Sequence, residues 1–165
     1  MMEARRLWSV EESEHACAFS VFVTRDFPTV TTRFVIAQWK QHCPADTCAP
    51  DNPVIALRHE NGELSITRQS TAGKEVLYRT KEDIRNRWLD FIFRVRFSRS
   101  QNGRIKAWCG DTVVVDYQGT TAYPASGGYT APALFYFQMD LYRDRMPVPM
   151  TMYFGEYRKE RLPVR

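Results

Sequence analysis

The chain has 165 residues, 44% hydrophobic and 13% aromatic. That is enough apolar side chain to bury a substantial core in one domain, and it excludes a disordered polypeptide. Lysine and arginine number 23 against 19 acidic residues, a formal charge of +4, which favours an anionic partner without naming it. The basic residues are scattered, with no zinc-finger spacing, basic helix or RNP-type aromatic motif, so nucleic acid is set aside. No apolar run reaches the roughly 18 residues of a membrane span, so a membrane partner is set aside too.

The opening Met1-Met2-Glu3-Ala4-Arg5-Arg6 contains no apolar signal segment, as expected of an intracellular protein or of the mature or trimmed form of an exported one. Strand-like stretches then succeed one another at 16–24, 33–40, 53–59, 63–68, 75–79, 88–98, 105–109, 112–117, 135–142 and 150–157. Many short strands separated by turns predict an all-β sandwich or barrel. Hairpin signals fall between them at Glu60-Asn61-Gly62, Gln101-Asn102-Gly103 and Cys109-Gly110-Asp111. One short helix is expected over 81–87, capped by Thr80 with Asp83 at its third position. Two irregular stretches remain, 41–52 and 119–133; the second leads into the strand at Phe135 and reads either as a lid beside a site or as a plain connection. With no internal repeat and no second composition regime, residues 1–165 form one domain in this reading.

The four cysteines, Cys17, Cys43, Cys48 and Cys109, match no dense disulfide framework. Cys43 and Cys48 could close a small loop, whereas Cys17 and Cys109 lie in strand-like runs as buried thiols. A zinc site would need two close cysteine pairs or histidines at ligand spacing. No metal or cofactor is expected, and nothing in the sequence indicates a structural calcium.

Two segments gather polar groups onto one face. In 34–40, Val35, Ala37 and Trp39 point one way and Phe34, Ile36, Gln38 and Lys40 the other; in 135–142, Phe135, Phe137, Met139 and Leu141 form an apolar stripe opposite Tyr136, Gln138, Asp140 and Tyr142. Such a face is either a binding groove or the solvated outer side of an antiparallel sheet.

Taken in order, the motifs resemble the polysaccharide lyases related to heparin lyase I and the glucuronan lyases. Val35-Ile36-Ala37-Gln38-Trp39-Lys40 is similar to the family's Gln-Trp-His strand. It is followed by Asn52-Pro53-Val54-Ile55-Ala56-Leu57-Arg58 with Asn61-Gly62, then Trp88-Leu89-Asp90-Phe91 through Arg96-Phe97-Ser98, and Asn102-Gly103 with Ile105-Lys106-Ala107-Trp108. Val115-Asp116-Tyr117 with Gly119 comes next. The last block, Tyr136-Phe137-Gln138-Met139-Asp140-Leu141-Tyr142-Arg143, is similar to the family's Tyr-Phe-Lys-x-Gly-x-Tyr-Arg strand. The resemblance implies a concanavalin A-like β-jelly roll of two antiparallel sheets with a concave groove, in which an N-terminal edge strand could be lacking. It also implies an acidic polysaccharide partner, a monomer, and a secreted or periplasmic location.

It further implies cleavage of a uronate-containing polysaccharide by β-elimination. The sugar carboxylate must be neutralised so that the adjacent carbon becomes acidic, and a tyrosine or histidine moves the protons. Tyr142 matches the catalytic tyrosine and Gln38 the carboxylate-binding glutamine. Lys40 stands where the family has histidine, Gln138 where it has lysine, and Asp140 where it has glycine. An unperturbed lysine titrates near 10.4, far from histidine, so the exchange alters the proton chemistry. Lys40 can stay charged, neutralise the carboxylate and depress the pKa of Tyr142, which then acts as both base and acid; it can be desolvated and act as base itself; or the groove can bind without cleaving. The first option keeps a positive charge in the cleft.

His42 shares the parity of Lys40 and offers an imidazole if the strand continues, against the reading of a loop histidine. Arg58, on a face with Val54 and Ala56, could hold a second acidic sugar, and Tyr136, Gln138 and Asp140 complete the substrate-binding set. His59, before a turn, is expected to be exposed, and His15 has a weak case as a site residue. Arg94 and Arg96 are expected on the outer sheet, Arg143 is expected to be structural, and Arg5 or Arg6 could match an early family arginine. A lectin-like jelly roll without turnover is the rival function. A glycoside hydrolase would need a second facing carboxylate, which Asp140 lacks in sequence.

Overall fold

Period-two alternation runs through the long strands of the computed structural model, which describes residues 8–29, 32–42, 53–125 and 131–163. Among them lie β1 (Ser9–Val10), β2 (Glu14–Val23), β3 (Phe34–His42), β4 (Ile55–Glu60), β5 (Glu63–Ser70) and β6 (Gly73–Thr80). There follow β7 (Arg87–Arg96), β8 (Arg104–Cys109), β9 (Thr112–Gln118), β10 (Leu134–Arg143), β11 (Met152–Phe154) and β12 (Arg158–Leu162). One sheet has the order β1-β10-β3-β4-β5-β6 and the other β11-β2-β7-β8-β9, with β12 also paired to β2. All pairings are antiparallel. This is the expected all-β jelly-roll sandwich. Among the described residues, no helix is long and apolar enough to cross a membrane.

Aromatic rings lock the sheets together. Trp39 of β3 lies 4.8 Å from both Phe93 of β7 and Phe137 of β10. Phe19 of β2 reaches Phe137 at 5.5 Å, and Phe97 stacks on Phe135 at 4.0 Å. Tyr157, between β11 and β12, stacks on Phe137 at 4.7 Å and closes that edge of the sandwich. Rings of this size bury large apolar areas and gain further from their mutual geometry. Asn61 and Gly62 both have positive φ, 55° and 74°, the left-handed pair that a two-residue hairpin turn needs.

Several local expectations are corrected. Residues 81–87 are not helical. The Thr80 hydroxyl accepts from the Glu82 amide at 3.2 Å and the Asp83 carboxylate from the Arg85 amide at 3.0 Å, so side chains suited to capping form tight turns instead. β1 is too short to show periodicity, and β12 reads in sequence as a charge run, a usual guise of an edge strand. β3 continues through Gln41 and His42. His59 is buried, with its ring 4.9 Å from Phe34 and 5.8 Å from Phe27, because it follows Ile55 and Leu57 on the inward side of β4. In the loop after β9, Tyr123 is buried and its backbone exchanges hydrogen bonds with the Gln41 side chain; residues 126–130 of the expected lid lie outside the described residues. Cys17 is a buried free thiol and Cys109 a half-buried one, while Cys43 and Cys48 lie outside the described residues.

His15 is buried in β2, its Nε2 2.8 Å from the Ser13 hydroxyl. Burial, then the charges of Lys159 and Arg161, lower its pKa from 6.5 to about 4. The unfolded chain therefore binds a proton that the folded one refuses between those values, so this contribution is full above pH 6.5 and is lost as pH falls toward 4. Urea midpoints should drop over that window by at most about 3 kcal/mol in stability, and His15→Gln should flatten that part of the profile. Trp39→Ala should cost about 3–5 kcal/mol in the same assay by opening a cavity between the sheets.

Candidate functional site

The site is built on the open face of β3 and β10. Gln38 pairs in register with Gln138, and Lys40 with Tyr136. The expected strict alternation of β3 is broken: its register with β4 shifts between Val35 and Ala37, and Phe34, Ile36, Ala37 and Trp39 all join the core. The extra residue at Ile36 swaps the faces, so that Val35, not Phe34 or Ile36, joins Gln38 and Lys40 on the open side. A matching irregularity between Met139 and Tyr142 of β10 leaves Asp140 and Tyr142 both facing out. Val54, expected beside Arg58, is instead a core residue.

These side chains line one open cavity of about 330 Å³, shared by Arg33, Val35, Gln38, Lys40, Pro53, Arg58, Gln138, Asp140 and Tyr142. Gln38, only 6% exposed, donates from Nε2 to Oε1 of Gln138 at 3.2 Å. That bond orients the pair and leaves the Gln138 amide N–H groups for a ligand oxygen. Tyr142, Val35 and Arg58 sit across three strands on one rung, and Tyr142 is 56% exposed. Tyr136 and His42 do not line this cavity. They share the open face further along, His42 about 13 Å beyond Gln38, and pack with Trp8.

Arg58 is 9% exposed, and its Nε donates to the Thr67 hydroxyl at 3.0 Å. No carboxylate forms an ion pair with it among the described residues. Burial, and after it the neighbouring Arg33, lower its pKa against smaller opposing contributions from Glu60 and Tyr123, which marks a desolvated cation beside a like charge. Arg33 is steadied by Asp144 at 2.8 Å, whose hydrogen bond is the main cause of its raised pKa, with Tyr142 among the smaller contributors. Arg33 is absent from the sequence-derived set; the signal available was an arginine of Val35's parity at the head of β3 and an aspartate just past Tyr142. Arg5 and Arg6 lie outside the described residues. Arg143 is exposed, and Arg94 and Arg96 are ion-paired with Glu14 and Glu12 on the other sheet. No cluster of three or more His, Cys, Asp or Glu able to hold a metal occurs among the described residues.

A buried cation without a carboxylate is a cost to folding, and an apolar side chain of similar length removes that cost. Arg58→Met should leave the urea unfolding free energy unchanged or raise it by about 1–2 kcal/mol, while weakening the retention of acidic polysaccharide on a gel-shift or calorimetric assay.

Residues 4–158 match the family model described as polysaccharide lyase. The structure is similar to endo-β-1,4-glucuronan lyase from the fungus Trichoderma reesei, with TM-score 0.71, 14% identity, and coverage of 92% of this chain and 69% of that one. It is similar also to an alginate lyase from Corynebacterium sp., with TM-score 0.58, 16% identity and coverage of 94% and 61%. The receptor-binding domain of botulinum neurotoxin D shares the sandwich at TM-score 0.57 and 8% identity, with coverage of 94% and 36%. At these identities the likeness is one of fold, and this chain spans 61% to 69% of the two lyases. No curated protein sequence matches the chain.

Proposed function

The chain belongs to the polysaccharide lyase family, and on that footing we propose that it cleaves a uronate-containing acidic polysaccharide by β-elimination in the groove between β10, β3 and β4. The observation that carries this reading is Arg58, a nine-tenths buried guanidinium that faces the groove and forms no ion pair with a carboxylate among the described residues. A uronate supplies the missing anion. The glutamine pair lies one side of the Tyr142 rung, about 7 Å along the strand, so one sugar can touch both.

In this reading the Gln38–Gln138 pair and Arg58 hold the carboxylate, and their fixed donors stabilise the charge that develops as the adjacent C–H bond breaks. Tyr142, as phenolate, takes that proton. The electron pair forms the carbon–carbon double bond and expels the glycosidic oxygen, which then receives the proton back from the phenol. Arg33 and Arg58 place positive charge on the Tyr142 side of the glutamines, and Lys40 places it on the other. The work first assigned to Lys40 is therefore divided among three cations. The likeness to the heparin lyase I and glucuronan lyase branch, action as one unit over 1–165, and work outside the cell on an acidic polymer belong to the same reading.

A second reading rests on Asp140, exposed in the groove between Gln138 and Tyr142. A carboxylate there repels an anionic sugar and favours a lectin-like module without turnover. The two readings separate on ultraviolet absorbance of unsaturated uronate released from glucuronan, alginate and glycosaminoglycans. Turnover should appear on at least one polymer, fall by about 10²-fold or more in Tyr142→Phe, and rise in Asp140→Gly. Binding without any absorbance change would leave the lectin-like reading.

A further inference from the structure

Beyond Lys40 the open face changes character. Trp8 precedes β1 at the position that continues the β1–β10 register onto Tyr136, so it shares the groove face. Its indole lies 5.4 Å from the Tyr136 ring, tilted by 30°, and 5.1 Å from the His42 ring. His42 is on β3, so the indole reaches across β10 to meet it. Trp8, Tyr136 and His42 are each half-buried, which leaves part of this three-ring surface open to solvent. Lys40, paired in register with Tyr136, stands between the rings and the glutamine pair.

We infer that Trp8, Tyr136 and His42 form a separate sugar-stacking subsite, which holds a pyranose of the same chain beyond the one seated at Gln38. Pyranose rings present an apolar C–H face and a polar rim. Aromatic rings remove the first from water, and Lys40 meets a carboxylate on the second. The position sets the polarity of the groove: the chain is gripped on the Lys40 side of the cleavage point, and the Tyr142 side has no such ring platform among the described residues. Long oligomers therefore gain affinity that short ones cannot. This inference rests on the groove being a sugar-binding groove, as proposed above.

The test is calorimetric titration of Tyr142→Phe protein, in which binding is separated from turnover, with alginate and glucuronan oligosaccharides of increasing length. Affinity should step up once the oligomer is long enough to reach Trp8. Trp8→Ala should remove that step, a loss of about tenfold for a stacking contact, and leave the shortest binding oligomer unaffected. His42→Ala, which leaves β1 untouched, should reduce the same step and guards against an effect of Trp8→Ala on the fold. An equal loss at every length, or none, would make the three rings ordinary packing and overturn the subsite while leaving the lyase reading intact. Failure of the Tyr142→Phe protein to bind any of these oligomers, or glycosaminoglycan oligosaccharides titrated in the same way, would overturn both.

Discussion

The β3–β10 ladder holds the core and the groove in a single piece of backbone. Trp39 and Phe137 meet beneath it at 4.8 Å, and their immediate neighbours Gln38 and Gln138 meet above it at 3.2 Å. The upper contact is an ordinary hydrogen bond, with a net value of about 1 kcal/mol. The lower one belongs to a ring cluster that includes Phe93, Phe19 and Tyr157, where each buried aromatic contributes about 1.5–3 kcal/mol. The glutamines are thus positioned by what lies under them. A polar pair on a rigid strand costs little reorganisation when a ligand arrives, which is the condition for electrostatic stabilisation of a developing charge.

Arg58 is placed differently from the arginines of the outer sheet. On the outer sheet Arg94, Arg96 and Arg104 each meet a carboxylate, from Glu14, Glu12 and Asp116. In the groove Arg58 has a hydroxyl partner and a like-charged neighbour instead. Surface pairs of the first kind contribute little to stability, whereas a desolvated cation of the second kind lowers it. Such local conflict with folding is expected where a site is kept ready for a ligand. The neurotoxin domain with the same sandwich shows that the architecture alone does not decide the use; the side chains of the groove do.

Much of this was legible in the sequence because antiparallel strands with one buried face write their alternation plainly. The long strands, the hairpins at Asn61-Gly62 and Gly110-Asp111, and the grouping of Gln38, Lys40, Gln138, Asp140 and Tyr142 follow from it. The bulge at Ile36 does not, since an apolar residue suits either face and one extra residue leaves no mark on composition. It nevertheless decides that Val35 lines the groove and Phe34 fills the core. The 81–87 turn is not legible either, because Thr80 and Asp83 serve tight turns as well as helix caps. Arg33 and Trp8 escape a reading of the sequence for a different reason: each acquires meaning only through a partner distant in sequence, Asp144 for one and His42 for the other.

The same topology bears on how the protein acquires its site. β4–β5–β6 and β7–β8–β9 are runs of neighbouring strands that can pair as soon as they exist, but Gln38 meets Gln138 at a sequence separation of 100. Contacts this distant close late and slowly, because loop entropy is spent before they form. A growing chain therefore carries β3 with one edge unpaired until β10 emerges, and β2 waits still longer for β11 and β12. The groove is therefore assembled late, and the unpaired edges of β3 and β2 are where a partly made chain is most exposed to wrong partners.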